Sequence, residues 1–72
     1  MTGTIEIYFK NRGYGFIKHV DENRIRTTYF FHIMDVRQGD PIPDSKCEFD
    51  LGPERKSGKT PPAINVRVSE AQ

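Results

Sequence analysis

The chain has little of the material that several protein classes depend on. Its 72 residues include one cysteine and no tryptophan. The single cysteine, Cys47, has no partner for an internal disulfide. Together with His19 and His32 it supplies three of the four ligands that a structural zinc ion usually takes. These shortages argue against a disulfide-stapled secreted domain and against a zinc site. They indicate a protein of the reducing cytoplasm that holds no metal.

Long apolar runs and an excess of charge are also missing. The longest stretch of large apolar side chains is residues 29–31, whereas a membrane helix needs about 20 such residues. Residues 1–4 lack the basic and apolar regions of a signal peptide. Lys and Arg number 11 against 10 Asp and Glu, a net charge of +1. A protein that held nucleic acid mainly through phosphates would carry a larger excess, so stacking or another contact would have to contribute.

The pattern of apolar residues predicts an all-β domain. Alternation in β-branched and aromatic residues indicates five strands, over residues 3–10, 14–20, 27–33, 46–51 and 63–68. Residues 35–45 and 52–62 are rich in Pro and Gly and are predicted to be loops, with one helical turn near 34–38. We therefore expect a single domain over residues 1–72, with a core from about 3 to 68 and a polar tail at 69–72. A five-stranded antiparallel barrel removes exposed edges, and the pattern alone leaves OB-type and SH3-like barrels both open.

Seven of the eight aromatic residues fall between positions 8 and 31, which is the most informative feature of the composition. On the first strand, alternation puts Ile5, Ile7 and Phe9 on one face. If Ile17, Tyr29 and Phe31 point inward on the next two strands, an outward stacking surface results, made of Tyr14, Phe16, Phe30 and His32 and edged by Arg12 and Lys18. Base–aromatic stacking contributes about 1–3 kcal/mol per base. A register error of one residue would reverse the faces and make these rings core aromatics.

Four motifs of this chain resemble those of the cold-shock domain family. Residues 12–17 (RGYGFI) are similar to the family's first RNP-type motif, and residues 30–33 (FFHI) to its second. Residues 3–5 (GTI) resemble its opening Gly-Thr-Val, and residues 61–66 (PPAINV) its closing Pro-x-Ala-x-Asn-Val. The motifs occur in the family's order and at its spacing, so the resemblance runs from about residue 3 to residue 68.

The resemblance implies an OB-type barrel that binds single-stranded RNA or DNA, often pyrimidine-rich, as an RNA chaperone or antiterminator. It implies no enzymatic chemistry and no cofactor, and no nucleophile in the sequence has support as a partner for His32. The family's binding residues carry over to Arg12, Tyr14, Phe16, Phe30 and His32. Further candidates are Tyr8 at a family Phe position, Lys18 beside the motif, and Arg55, Lys56 and Lys59 as contacts from a basic loop.

The chain departs from the family's pattern at three positions. Glu6 and Ile7 stand where the family usually has Lys and Trp, and Ile33 replaces a Phe. Two missing stacks predict a weaker binder, or one tuned to a different strand. The alternative is a protein-interaction or dimerising barrel that has weakened or lost nucleic-acid binding, with an exposed patch made of Ile7, Tyr8, Tyr14, Phe16 and Phe30. We expect a monomer, with a dimer and a domain of a longer chain left open.

Overall fold

The structure is a computed structural model that describes residues 1–53 and 60–69, and it is all-β in architecture. The strands are β1 (Thr2–Phe9), β2 (Tyr14–Val20), β3 (Arg26–His32), β4 (Val36–Gln38), β5 (Lys46–Leu51) and β6 (Ala63–Val68). A short 3-10 turn, Ile33–Asp35, separates β3 from β4. The five predicted strands are confirmed to within one residue at each end. The basic-loop candidates Arg55, Lys56 and Lys59 lie outside the described residues.

The strands form one mixed sheet in the order β3-β2-β1-β5-β6-β4. All neighbours are antiparallel except β4, which runs parallel to β6. The prediction of a five-stranded antiparallel barrel is confirmed only in part: the five predicted strands pair antiparallel, but a sixth strand joins them in parallel, and within the described residues the sheet does not close. The extra strand forms because Val36 packs against the core and brings three residues of the expected loop alongside β6. Strands β3 and β6 approach each other without sharing a ladder.

The core is built from one face of this curled sheet. Its buried hydrophobic members are Ile5, Ile17, Tyr29, Phe31, Cys47, Phe49, Ala63, Val66 and Val68. The predicted inward residues Ile17, Tyr29 and Phe31 are at most 8% exposed, which confirms the assignment of faces on β2 and β3. On β5, Cys47 and Phe49 are buried, whereas Leu51 at the strand's end is 41% exposed.

A β-bulge at Glu6 changes the face of the second half of β1. Ile5 pairs with Ile17 and Ile7 pairs with Phe16, so Glu6 is an extra residue in β1. Ile5 is fully buried, but Ile7 is 41% exposed. The prediction that Ile5, Ile7 and Phe9 share one face is wrong, because the bulge shifts the alternation by one residue.

Gly15 allows β1, β2 and the core to pack closely. A Cβ at this position would collide with the carbonyl oxygen of Ile7 and lie 2.9 Å from the ring of Phe31. Tyr8 pairs with Gly15 across the ladder, and its ring stacks on Phe31 with centroids 6.1 Å apart. The missing side chain thus makes room for an aromatic contact between β1 and β3.

Burial of Cys47 predicts that the free energy of unfolding falls at alkaline pH. Desolvation raises the pKa of its thiol from 9.0 to about 11, against a smaller lowering by a backbone hydrogen bond with Gly3. The pKa of the thiol is higher in the folded protein than in the unfolded chain. The neutral thiol's contribution to the free energy of unfolding is therefore complete below pH 9 and is lost as the pH rises through 11. Between pH 8 and 10 the wild type should lose about 1 kcal/mol more than Cys47→Ala in free energy of unfolding.

Urea denaturation at both pH values measures this difference, and comparing two proteins cancels the titration of tyrosines and lysines that they share. Equal losses in the two proteins would contradict a neutral, desolvated thiol.

Candidate nucleic-acid interface

The outer face of β1, β2 and β3 carries side chains in regular cross-strand rows. In the first row Tyr14 pairs with Phe9 on one side and His32 on the other. In the second row Phe16 pairs with Ile7 and Phe30. Side chains directly opposite each other in an antiparallel sheet are close enough to touch. We call Phe9, Tyr14, Phe16, Phe30 and His32 the aromatic face.

The rings of the aromatic face pack mainly edge to face or tilted. Tyr14 lies 5.2 Å from Phe9, 5.5 Å from Phe30 and 6.2 Å from Phe16, measured between ring centroids. Phe16 and Phe30 are 6.0 Å apart at 69°. These are favourable aromatic geometries, which hold each ring in place. Tyr14, Phe16 and Phe30 are half-buried, and Phe9 is 37% exposed. The result is a pre-ordered apolar surface with ring area open to solvent.

Most of the site residues predicted from sequence come together here. Tyr14, Phe16, Phe30 and His32 lie on the outer face as expected, and Lys18 continues it one step further along β2. Whether they bind nucleic acid stays a prediction.

Tyr8 is not part of the aromatic face. The bulge turns it to the core side, where it packs on Phe31. Tyr8 and Ile33 also line a groove of about 420 Å³ beside the face. Phe9, rather than Tyr8, is one of the outward rings, and the sequence pattern did not predict this. The signal for Phe9 was its aromatic side chain, but its face depended on a bulge that alternation does not reveal.

His32 has a defined hydrogen-bonding role. Its Nδ1 accepts a hydrogen bond from the backbone N–H of Met34 at 3.1 Å, which caps the 3-10 turn. With Nδ1 as acceptor, the neutral ring carries its proton on Nε2. The exposed imidazole can therefore donate a hydrogen bond to a carbonyl or phosphate oxygen at the edge of the first row.

The turn between β1 and β2 places Arg12 at the end of the aromatic face. The carbonyl of Phe9 accepts hydrogen bonds from the N–H groups of Arg12 and Gly13, both at 2.9 Å. Gly13 has φ +73°, and its own carbonyl accepts from the N–H of Ile33 at 2.8 Å. Glycine adopts this left-handed conformation at little cost. The turn is thus fixed to the 3-10 turn that follows β3, and the exposed Arg12 supplies positive charge beside the first row.

No protein-family model matches this chain, and no curated protein sequence does either. Within residues 1–53 and 60–69, no three His, Cys, Asp or Glu side chains group in a way that could hold a metal ion. Over the same residues no helix has the length and apolar character needed to cross a membrane.

The reversal of Tyr8 and Phe9 predicts unequal effects on stability. Tyr8→Ala should lower the free energy of unfolding by about 2 kcal/mol, because its ring packs against the core. Phe9→Ala should lower the free energy of unfolding by about half as much, because Phe9 packs on Tyr14 on the solvent side of the sheet. Urea denaturation of both variants measures the difference. A larger loss for Phe9→Ala would show that the faces of β1 are assigned the wrong way.

Proposed function

We propose that this protein binds single-stranded RNA or DNA by stacking bases on the aromatic face. The observation that carries the proposal is that four aromatic rings and a histidine lie side by side on the solvent side of three adjacent strands. Every base has a π-face, so such a surface binds single strands with little dependence on sequence. The cold-shock resemblance adds a preference for pyrimidine-rich strands and a role as an RNA chaperone or antiterminator in the cytoplasm, without enzymatic chemistry.

The fold supports this proposal as an OB-type arrangement with one added strand. Strands β1, β2 and β3 form a meander. On the other side of β1 the sheet continues with β5 and then β6. OB-folds are partly open Greek-key barrels that bind oligonucleotides on the face of strands 2 and 3. Here that face is the aromatic face. Their other contacts come from two loops, and Arg12 lies in the first of them.

The energetics suit a binder of moderate strength. The net charge of +1 leaves little bulk attraction for phosphates. Two or three stacked bases at about 1–3 kcal/mol each give affinities around the micromolar range when some phosphate contacts are added. Phe9 supplies a ring to the first row, but Ile7 leaves the second row one ring short. We expect a shallow dependence of affinity on salt.

A second candidate function is a protein interface or homodimer. Ile7 and Phe9 are 41% and 37% exposed and make the face more apolar than base stacking requires. An apolar patch of this kind also suits a partner protein. We favour nucleic acid because the neighbouring polar groups, Arg12, Lys18 and the ring of His32, can all donate hydrogen bonds to a polyanion.

Removing a ring from the second row should weaken binding strongly. Phe16→Ala and Phe30→Ala should each reduce affinity for oligo-U or oligo-dT heptamers roughly tenfold or more, because each removes a base stack. Leu51→Ala is the control, since Leu51 is an exposed apolar residue (41%) that lies on β5, off the aromatic face. It should bind like wild type. Fluorescence anisotropy with labelled heptamers measures the affinities, and circular dichroism verifies folding.

The absence of saturable binding to oligo-U, oligo-dT or oligo-dA at tens of micromolar would overturn the proposal. Concentration-dependent sedimentation that disappears in folded Phe16→Ala would then support the dimerising alternative.

A further inference from the structure

A third cross-strand row continues the aromatic face toward β5. Thr4 of β1 pairs with Lys18 of β2 on one side and with Lys46 of β5 on the other. Lys18 follows Tyr14 and Phe16 on the same face of β2, and Lys46 precedes the inward-facing Cys47. Both lysines therefore flank Thr4 on the outside of the sheet. We call Lys18, Thr4 and Lys46 the lysine row.

The lysine row lines an open cleft of about 510 Å³, to which Thr2 and Glu48 also contribute. Adjacent strands are about 4.8 Å apart, so the two lysine backbones lie roughly 10 Å apart across β1. Each lysine side chain is long and flexible enough to reach an anion above Thr4. The Thr4 hydroxyl adds a hydrogen-bond donor between the two ammonium groups.

The cleft contains one carboxylate, that of Glu48, beside its two lysines, and no ion pair of the described residues involves either lysine. Within residues 1–53 and 60–69, neither Lys18 nor Lys46 has a carboxylate within 4.0 Å. Glu48 pairs instead with Arg67, at 3.8 Å. Two lysines without an ion-pair partner therefore line one cleft, in a protein whose net charge is only +1. A local concentration of positive charge of this kind attracts an anion.

The spacing of the rows relates the cleft to the aromatic face. Tyr14, Phe16 and Lys18 are successive outward residues of β2, so each row lies about 7 Å from the next. A strand whose bases stack on the first two rows and which continues along β2 reaches the lysine row with its next backbone phosphates. The alternative path, off the open edge of β3, would leave the lysine row unused.

We propose that the lysine row is a phosphate-binding subsite for the backbone of the single strand that stacks on the aromatic face. The inference rests on the proposed function and adds to it a direction of binding, from the turn at Arg12 along β2 toward β5. Lys46, which no motif singled out, makes a direct phosphate contact.

The test measures the affinity for a labelled oligo-U heptamer at several potassium chloride concentrations. Lys46→Ala should lower affinity several-fold at low salt. It should also reduce the slope of log K against log salt by about 0.7, the value for one phosphate contact on a single strand. Lys46→Arg should bind within about twofold of wild type. Arg37→Gln removes one exposed positive charge from β4, the edge strand at the end of the sheet order away from the aromatic face, and should leave the slope unchanged.

The outcomes separate this inference from the function on which it rests. If Lys46→Ala keeps the wild-type slope and affinity while Phe16→Ala weakens binding, the lysine row is overturned and the stacking surface stands. If Arg37→Gln reduces the slope as much as Lys46→Ala does, the effect is general charge and the inference is again overturned. If wild type binds no strand, both proposals fail. Circular dichroism shows that each variant is folded.

Discussion

The β-bulge at Glu6 is the constraint on which the rest of this small structure depends. Before it, β1 is a core strand, with Ile5 paired to Ile17 and fully buried. After it, the same strand presents Ile7 and Phe9 to solvent and turns Tyr8 to the core. A regular strand would bury Ile7 and Phe9 beside Ile5 and expose Tyr8. One extra residue thus divides β1 into a part that stabilises the fold and a part that builds a surface. Bulges commonly have this effect at functional sites.

The bulge also fits the way β1 joins the two halves of the sheet. Residues Thr2 to Thr4 pair with β5, whereas the pairing with β2 extends to Phe9. A bulge increases the local twist of a strand, which suits a sheet in which β3 approaches β6. Gly15 completes the arrangement, because only a residue without a side chain fits between the carbonyl of Ile7 and the ring of Phe31. The outward rings also pack against one another, so a ligand would need little free energy to order them.

Much of this fold can be predicted from the local sequence pattern. The parts that cannot be predicted depend on pairing between strands that are far apart in the sequence. Alternation locates five strands because their residues are β-branched or aromatic and are bounded by Gly, Pro and Asn. It also orients β2 and β3 correctly, with Ile17 and Phe31 inside. It fails at Glu6, since an exposed glutamate looks the same in a bulge as in a regular strand.

It fails again at β4, whose three residues are extended because they pair with β6, about 30 positions later in the chain. In the candidate site, too, some residues can be predicted from the local pattern and others depend on strand pairing. Regular alternation and the cold-shock resemblance both predict the outward positions of Tyr14, Phe16, Phe30 and His32. The outward position of Phe9 and the inward position of Tyr8 depend on the register of β1 against β2, which the sequence pattern does not reveal. Lys46 joins the surface only through pairing with Thr4, 42 positions earlier in the chain.

The most direct measurement of the central claim is a nuclear magnetic resonance titration of isotope-labelled protein with an oligo-U heptamer, observing the aromatic ring signals. Stacking on the aromatic face predicts that the rings of Phe9, Tyr14, Phe16 and Phe30 shift together, because bases would lie directly on them. The buried rings of Tyr29 and Phe49 should change little. Shifts concentrated on β4 and β6 would contradict the account, as would a saturable titration that leaves the rings of Phe16 and Phe30 unchanged.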